Sequence, residues 1–203
     1  LETWLVRHAI AGIGGIDTRR LTRILREKGA ILVDPVEVPN ASKYGQSELE
    51  VLLYELKADM QEYLREFAPG SAFSRLKDLI DFNERNRDRE MPYFGQEYFL
   101  RAEAKGGLDS KEYLDALANN HRYSRAEGLD QVLTEHRLDA LLAPSGTPAG
   151  LTDFIRGDPG GASFTSPAAV AGYPHITVPP GFVRGLPVGV SFVGGAWSEA
   201  TLI

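Results

Sequence analysis

Hydrolytic chemistry needs a nucleophile, a base and donors for the developing oxyanion, and side chains spaced to supply them are sparse in this sequence. There is no cysteine, which excludes a thiolate nucleophile, a thiolate zinc site and a disulfide framework. The four histidines form no His-Glu-x-x-His pair, and His121 and His136 lie too far apart in sequence for a simple metal pair. No metal site is expected. No serine sits in a Gly-x-Ser-x-Gly elbow, and no two serines are adjacent. The nearest approach to a glycine-flanked nucleophile is Asp158-Pro-Gly-Gly-Ala-Ser163. Ser163 or Ser166 with Lys105 as base is the arrangement available on paper, but neither a strand context nor a relay group accompanies it. Glu84 and Asp88 could share a helix face as a carboxylate pair, yet Arg85 and Arg87 interleave them, which favours ordinary ion pairing. Gly12-Ile13-Gly14-Gly15 precedes a helix but lacks the third glycine of a dinucleotide loop and the lysine of a Walker loop. No cofactor is expected, and no catalytic residue is assigned. The better candidates are for binding: Ser145, Gly146 and Thr147 leave a buried strand, Leu138 to Pro144, at its carboxyl end, where α/β sheets hold their ligands. A plain turn rich in glycine and proline is the alternative reading of that loop.

The elements that would position such a site read clearly in places. Residues 30–35, Ala-Ile-Leu-Val-Asp-Pro, are expected to form a strand closing on an Asp-Pro turn, as the family resemblance given below implies. Leu49, Leu52, Leu53, Leu56, Met60, Tyr63, Leu64 and Phe67 recur at helical spacing from Ser47 onward, with Ser47 and Glu50 as a capping box. A second helix spans about Ser74 to Asn86, and the charged run from Glu84 to Glu90 reads as its solvated end. Further helices run from Gln96 to Lys105, and from Asp109 or Ser110 toward His136. Late in the chain, Pro167-Ala-Ala-Val-Ala171 is a small-residue helix ended by Gly172. Two strands follow, His175 to Val178 and Pro187 to Val193, set off by Pro174, Pro179 and Pro180. Ser198 is a helix N-cap.

Two stretches resemble known families. Ala169 to Ile203, AVAGYPHITVPPGFVRGLPVGVSFVGGAWSEATLI, is similar to the C-terminal part of amidase signature enzymes, with the same order of small helix, Gly-x-Pro, strand, Pro-x-Gly turn, Gly-Leu-Pro-x-Gly and strand. Phe94-Gly-Gln-Glu97 with Arg101-Ala-Glu-Ala-Lys105, and Asp139-Ala-Leu-Leu-Ala-Pro144, extend this resemblance over about residues 31–203. It implies a partial α/β amidase fold, a mixed sheet flanked by helices and truncated relative to the whole. It also implies that the loop before the helix at Gln96 lies near a substrate channel, making Tyr93 and Phe94 substrate-binding candidates; the residues themselves leave a core role open. Separately, residues 12–30, GIGGIDTRRLTRILREKGA, resemble a segment of the carbamoyl-phosphate synthase small subunit. The expected organisation is therefore residues 1–30 as an appendage of that kind and 31–203 as the C-terminal part of an amidase domain, with the junction at Gly29-Ala30.

The amidase resemblance implies hydrolysis of carboxamides to carboxylate and ammonia through a Ser–Ser–Lys set, in which a desolvated lysine serves as base and backbone N–H groups hold the oxyanion. That set is absent from this sequence. The expectation is the substrate-side portion of an amidase, inactive alone, with a small-molecule amide as partner once the missing half completes it. The alternatives are a non-catalytic interaction module or a fusion fragment, including a carbamoyl-phosphate synthase remnant. A start at Leu1 and a stop at Ile203 after one helical turn fit a fragment. The net charge of −6 with no basic face argues against nucleic acid as a partner. No apolar run has the length of a membrane span and no signal-peptide core opens the chain, so the reading is cytoplasmic with no membrane partner.

Overall fold

The structure, a computed structural model, describes residues 23, 25–155, 157, 161 and 163–203. The glycine-rich stretch and most of the expected appendage, residues 1–30, therefore lie outside the described residues, as does most of the run before Ser163. Two compact units are present: Ser42–His121, and Leu1–Ala41 together with Arg122–Ile203. Among the described residues no helix is long and apolar enough to cross a membrane.

The first unit is helical. Its long helix α1, Gly45–Phe67, is followed by α2, Leu76–Arg85, the single turn α3, Arg87–Glu90, then α4, Glu97–Glu103, and α5, Lys111–His121. Helix α1 begins at Gly45, ahead of the expected start, so Ser47 falls inside its first turn and donates its hydroxyl back to the Tyr44 carbonyl at 3.0 Å; the expected capping box does not form. The helix buries two stripes. Leu53 packs with Leu76, Ile80 and Ala102 on one side, while Val51 and Tyr54 pack with Tyr113 and Ala116 on the other. This double burial explains why Val51 and Tyr54 are core residues while Leu52, Tyr63 and Phe67 are exposed. Helix α2 starts under Asp78, whose carboxylate accepts from the Ser74 N–H at 2.8 Å and the Ser74 hydroxyl at 2.9 Å. These bonds satisfy donors near the open helix start and hold the Asp78 carboxyl below its ordinary range.

The second unit is built on a sheet. Its chain resumes with wide helical turns over Arg122–Leu129, broken at Glu127 and Gly128, and then α6, Asp130–Glu135. One continuous helix to His136 was expected. Gly128 breaks it because the backbone folds onto itself there, and a Cβ would run into the Tyr123 carbonyl oxygen. Strand β1, Leu141–Pro144, leads to helix α7, Ser166–Ala171, strands β2, His175–Val183, and β3, Leu186–Val193, and a last turn α8, Glu199–Leu202. Helix α7 ends as its sequence dictates, with Gly172 left-handed at φ 67°. Arg184 and Gly185, at φ 50° and 80°, close β2 onto β3 in a tight turn with the twist that antiparallel hairpins favour. Strand β2 outruns its expected end because the ladder skips Pro179-Pro180, which have no N–H to give, and resumes at Gly181.

The described sheet is antiparallel with order β1-β3-β2. Leu141 and Val193 join Leu129, Val132, Ala168 and Ala171 in a buried core beneath α7. Arg125 ties α7 down, donating to the Ala171 carbonyl at 2.8 Å at the helix's C-terminal end. Tyr173 donates to Asp130 Oδ1 at 2.8 Å, and burial followed by that acidic partner pushes its phenol up to about 12. The strand expected over residues 30–35 is not formed. Ile31 is 92% exposed, and β1 pairs only with β3 among the described residues. An extended segment without a ladder partner cannot become a strand.

Candidate functional site

The polar end of the sheet unit is assembled from the three strands. Leu141 faces Val193, Ala143 faces Ser191, and the Ser145 N–H donates to the Gly189 carbonyl at 2.9 Å. On the other side of β3, His175 faces Val193 and Thr177 faces Ser191. The row that starts as core at Leu141 and Val193 thus turns polar toward the carboxyl end of β1. There Ser191, fully buried, holds a hydrogen-bonded cluster: its hydroxyl donates to Ser145 Oγ at 2.7 Å and lies 2.6 Å from His175 Nε2. Thr177 Oγ1 is 3.3 Å from both Ser145 Oγ and Ser191 Oγ. Gly189 makes room for this crossing, since a Cβ there would stand 2.7 Å from Ser145 Oγ and from Thr177 Cγ2.

The same cluster anchors the loop that leaves β1. The Ser145 carbonyl accepts from the Phe164 N–H at 3.3 Å and from the Ser163 hydroxyl at 3.2 Å. Ser163 also lies 2.9 Å from Thr165 Oγ1. Thr147 packs over Gly161, where a Cβ would collide with its side chain. Ser145, Gly146 and Thr147 therefore occupy a loop pinned at both ends, with Thr147 exposed and Ser145 and Gly146 half-buried. Tyr93 and Phe94 belong to the helical unit, 69% and 74% exposed in the segment before α4. Sequence reasoning found the loop but not Ser191, His175 and Thr177 behind it. Their signal was present: polar residues at 175 and 177 alternate in an otherwise apolar strand, and only the register reveals that both lie on the Ser191 side.

Lys105 is not poised as a base. Its ammonium pairs with Glu50, and with Glu112 at 3.4 Å, and the Glu50 hydrogen bond first among these contacts holds it above the ordinary lysine range. A general base needs the opposite shift. Ser163 is occupied with Ser145 and Thr165 in the sheet unit, while Lys105 belongs to the helical unit. Among the described residues, no group of three or more His, Asp or Glu side chains is placed to hold a metal ion. Chemically the cluster is a set of hydrogen-bond donors and acceptors that fixes a loop at a strand end.

A profile of the amidase family matches residues 17–203. The chain belongs to the amidase family. The matched span begins ahead of Gly29-Ala30, inside the residues 1–30 that the sequence reading set apart as an appendage. Among amidase relatives, a probable amidase of Arabidopsis thaliana is 33% identical over 187 residues, covering 89% of this chain and 33% of the relative. The peptide amidase of Stenotrophomonas maltophilia superposes with a TM-score of 0.80 at 42% identity, over 91% of this chain and 37% of that one. An amidase family protein of Bacillus anthracis superposes with a TM-score of 0.68 at 27% identity, over 91% of this chain and 32% of that one. The chain thus spans about a third of the length of these amidases. Its α/β architecture is a portion of theirs.

Proposed function

We propose that this chain is the substrate-side portion of an amide hydrolase that converts carboxamides to carboxylate and ammonia, and that it is inactive by itself. The observation that carries the reading is the superposition on the peptide amidase of Stenotrophomonas maltophilia, at 42% identity over 91% of this chain but only 37% of that enzyme. The sequence contains no adjacent serines, so the Ser–Ser–Lys set that the family resemblance implies has to come from another stretch of polypeptide. In this reading Ser145, Gly146 and Thr147 contact the substrate from the pinned loop, and Tyr93 and Phe94 offer exposed aromatic surface to it. A peptidyl amide is the substrate class to try first, by analogy with that peptide amidase. The glutaminase chemistry that the carbamoyl-phosphate synthase resemblance would imply needs a cysteine and a histidine in another domain, and with no cysteine in the chain it is not carried over.

The test is ammonia release from peptide amides and simple carboxamides, by the chain alone and mixed with the upstream portion of the Stenotrophomonas maltophilia enzyme. Release only on mixing is expected. Release by the chain alone overturns the inactivity; no release in the mixture, with both polypeptides folded and associated, favours a non-catalytic interaction module.

A further inference from the structure

One face of α1 is apolar well beyond what the cores of the helical unit bury. Leu49, Leu52, Leu56, Met60, Tyr63 and Phe67 follow one another at steps of three or four residues, the spacing of a helix-packing seam. Leu56 and Met60 are partly buried against the core formed with Leu76 and Ile80. Others face outward: Leu52 is 55% exposed, Tyr63 58% and Phe67 69%. Tyr63 and Phe67 stack with ring centres 5.4 Å apart, so the apolar surface continues to the end of the helix. A shallow groove of about 450 Å³ follows the seam, lined by Leu52, Glu55, Leu56, Asp59, Met60 and Tyr63. Single exposed apolar side chains are ordinary, but a continuous run of them marks a contact surface.

The charge beside this seam has one sign. At roughly 3.6 residues per turn, Glu48, Glu55, Asp59, Glu62 and Glu66 fall in a single sector along one edge of it. Tyr113 of α5 donates to Glu55 at 2.9 Å, which sets that edge on the α5 side. The basic residues of α1 offset little of it. Lys57 donates to the Glu103 and Lys105 carbonyls at 2.8 and 2.7 Å, and Arg65 pairs with Glu62. In packed helix pairs the charges flanking the apolar seam choose the partner and its orientation. An acidic edge therefore selects a helix that carries lysine or arginine beside its own apolar stripe.

We propose that this face of α1 docks a basic amphipathic helix of a partner protein, with its apolar stripe on Leu52, Leu56, Tyr63 and Phe67 and its cations along the acidic edge. The proposal is independent of the amide-hydrolase reading. The same edge disfavours other occupants. An anionic lipid surface is repelled by it, as by the net charge of −6. A second copy packed antiparallel across a two-fold axis sets acidic edge against acidic edge.

The experiment is fluorescence anisotropy of two labelled helical peptides titrated with the full chain. Both are about three heptads long with leucine along the stripe; one carries lysine at the flanking positions and the other glutamate. The lysine peptide is expected to bind roughly tenfold or more tightly than the glutamate peptide, and to weaken as salt is raised. Leu52→Gln with Tyr63→Gln is expected to weaken the lysine peptide roughly tenfold, and Asp59→Lys with Glu66→Lys to reverse the preference between the peptides. These four side chains are exposed, and an unchanged far-ultraviolet circular dichroism spectrum shows that the variants remain folded. Equal binding of the two peptides, or a preference unmoved by the substitutions, overturns the proposal. So does dimer formation, or binding to phosphatidylserine vesicles, that Leu52→Gln with Tyr63→Gln abolishes, since each assigns the face to another occupant. Slowed amide exchange over residues 52–67 on mixing with the upstream portion of the Stenotrophomonas maltophilia peptide amidase places the face inside the enzyme and overturns it as well.

Discussion

Ser191 sets the geometry of the pinned loop through one hydroxyl. It is fully buried and serves Ser145 at 2.7 Å and His175 at 2.6 Å, so deleting it leaves both half-buried partners short of a bond. Such losses cost about 1–3 kcal/mol, and Ser191→Ala is expected to lower the urea midpoint of the sheet unit accordingly. Thr177→Ala is the control. Thr177 is exposed and its contacts with Ser145 and Ser191 are longer, at 3.3 Å, so its effect should stay within about 0.5 kcal/mol. Equal effects would mean that the cluster is not organised around Ser191. In the helical unit the corresponding clasp is Glu112, which accepts from Tyr54 at 2.7 Å and faces Lys105. The Tyr54 bond, then Lys105, holds its carboxyl below the ordinary range. A depressed carboxylate stabilises the fold above its unfolded pKa, and that stabilisation is lost as pH falls through the folded pKa. Lys105 is raised, so its share is present below the unfolded lysine pKa and disappears as pH rises through the folded value. Glu112→Gln is therefore expected to lower the melting temperature at neutral pH, with the gap to the parent chain closing in acid. A gap that stays constant on acidification would show that the charge is not involved.

At the scale of elements, α7 is the hinge between core and site. Its C-terminus is held by the left-handed Gly172 and by Arg125 donating to Ala171. A side chain at Gly172 has room, its nearest neighbour being Arg125 at 3.7 Å, so the penalty of Gly172→Ala is the left-handed backbone alone, about 1 kcal/mol. Calorimetry of the full chain checks this, and a neutral result would mean that the turn relaxes. This element was legible in the sequence because each device is local: small residues for close packing, proline in the first turn, glycine past the last. The strands around it were legible for the same reason, since β-branched runs and prolines mark their ends. Elements that depend on distant chain were not. Residues 30–35, expected as a strand from the amidase resemblance, have no ladder partner among the described residues. The helix toward His136 breaks where Gly128 meets the Tyr123 carbonyl, an encounter created by the fold and not by propensity. The polar cluster needed the register of three strands before Ser145, Thr177, His175 and Ser191 could be seen as one group, although the loop beginning at Ser145 was visible as a strand exit.

The whole molecule is divided unequally by its chain path. The helical unit is one continuous segment, Ser42–His121, while the sheet unit is assembled from residues on both sides of it. The helical unit also carries its own cores, with Leu53, Leu76, Ile80 and Ala102 on one side of α1 and Val51, Tyr54, Tyr113 and Ala116 on the other. Polar ties close it internally: Lys57 donates to the Glu103 and Lys105 carbonyls at 2.8 and 2.7 Å, and Tyr113 donates to Glu55 at 2.9 Å. A continuous segment with a private core has the anatomy of an autonomous folding unit, though a small one with a limited reserve of stability. Residues 42–121 expressed alone are expected to retain a helical far-ultraviolet spectrum and to unfold in one cooperative transition, with a stability of at most about 5 kcal/mol. Glu112→Gln should lower that midpoint as it does in the full chain, because all the partners of Glu112 lie inside the segment. A broad, non-cooperative melt would show that this unit depends on the sheet unit for its order. A cooperative melt insensitive to Glu112→Gln would show that its apolar cores suffice without the clasp.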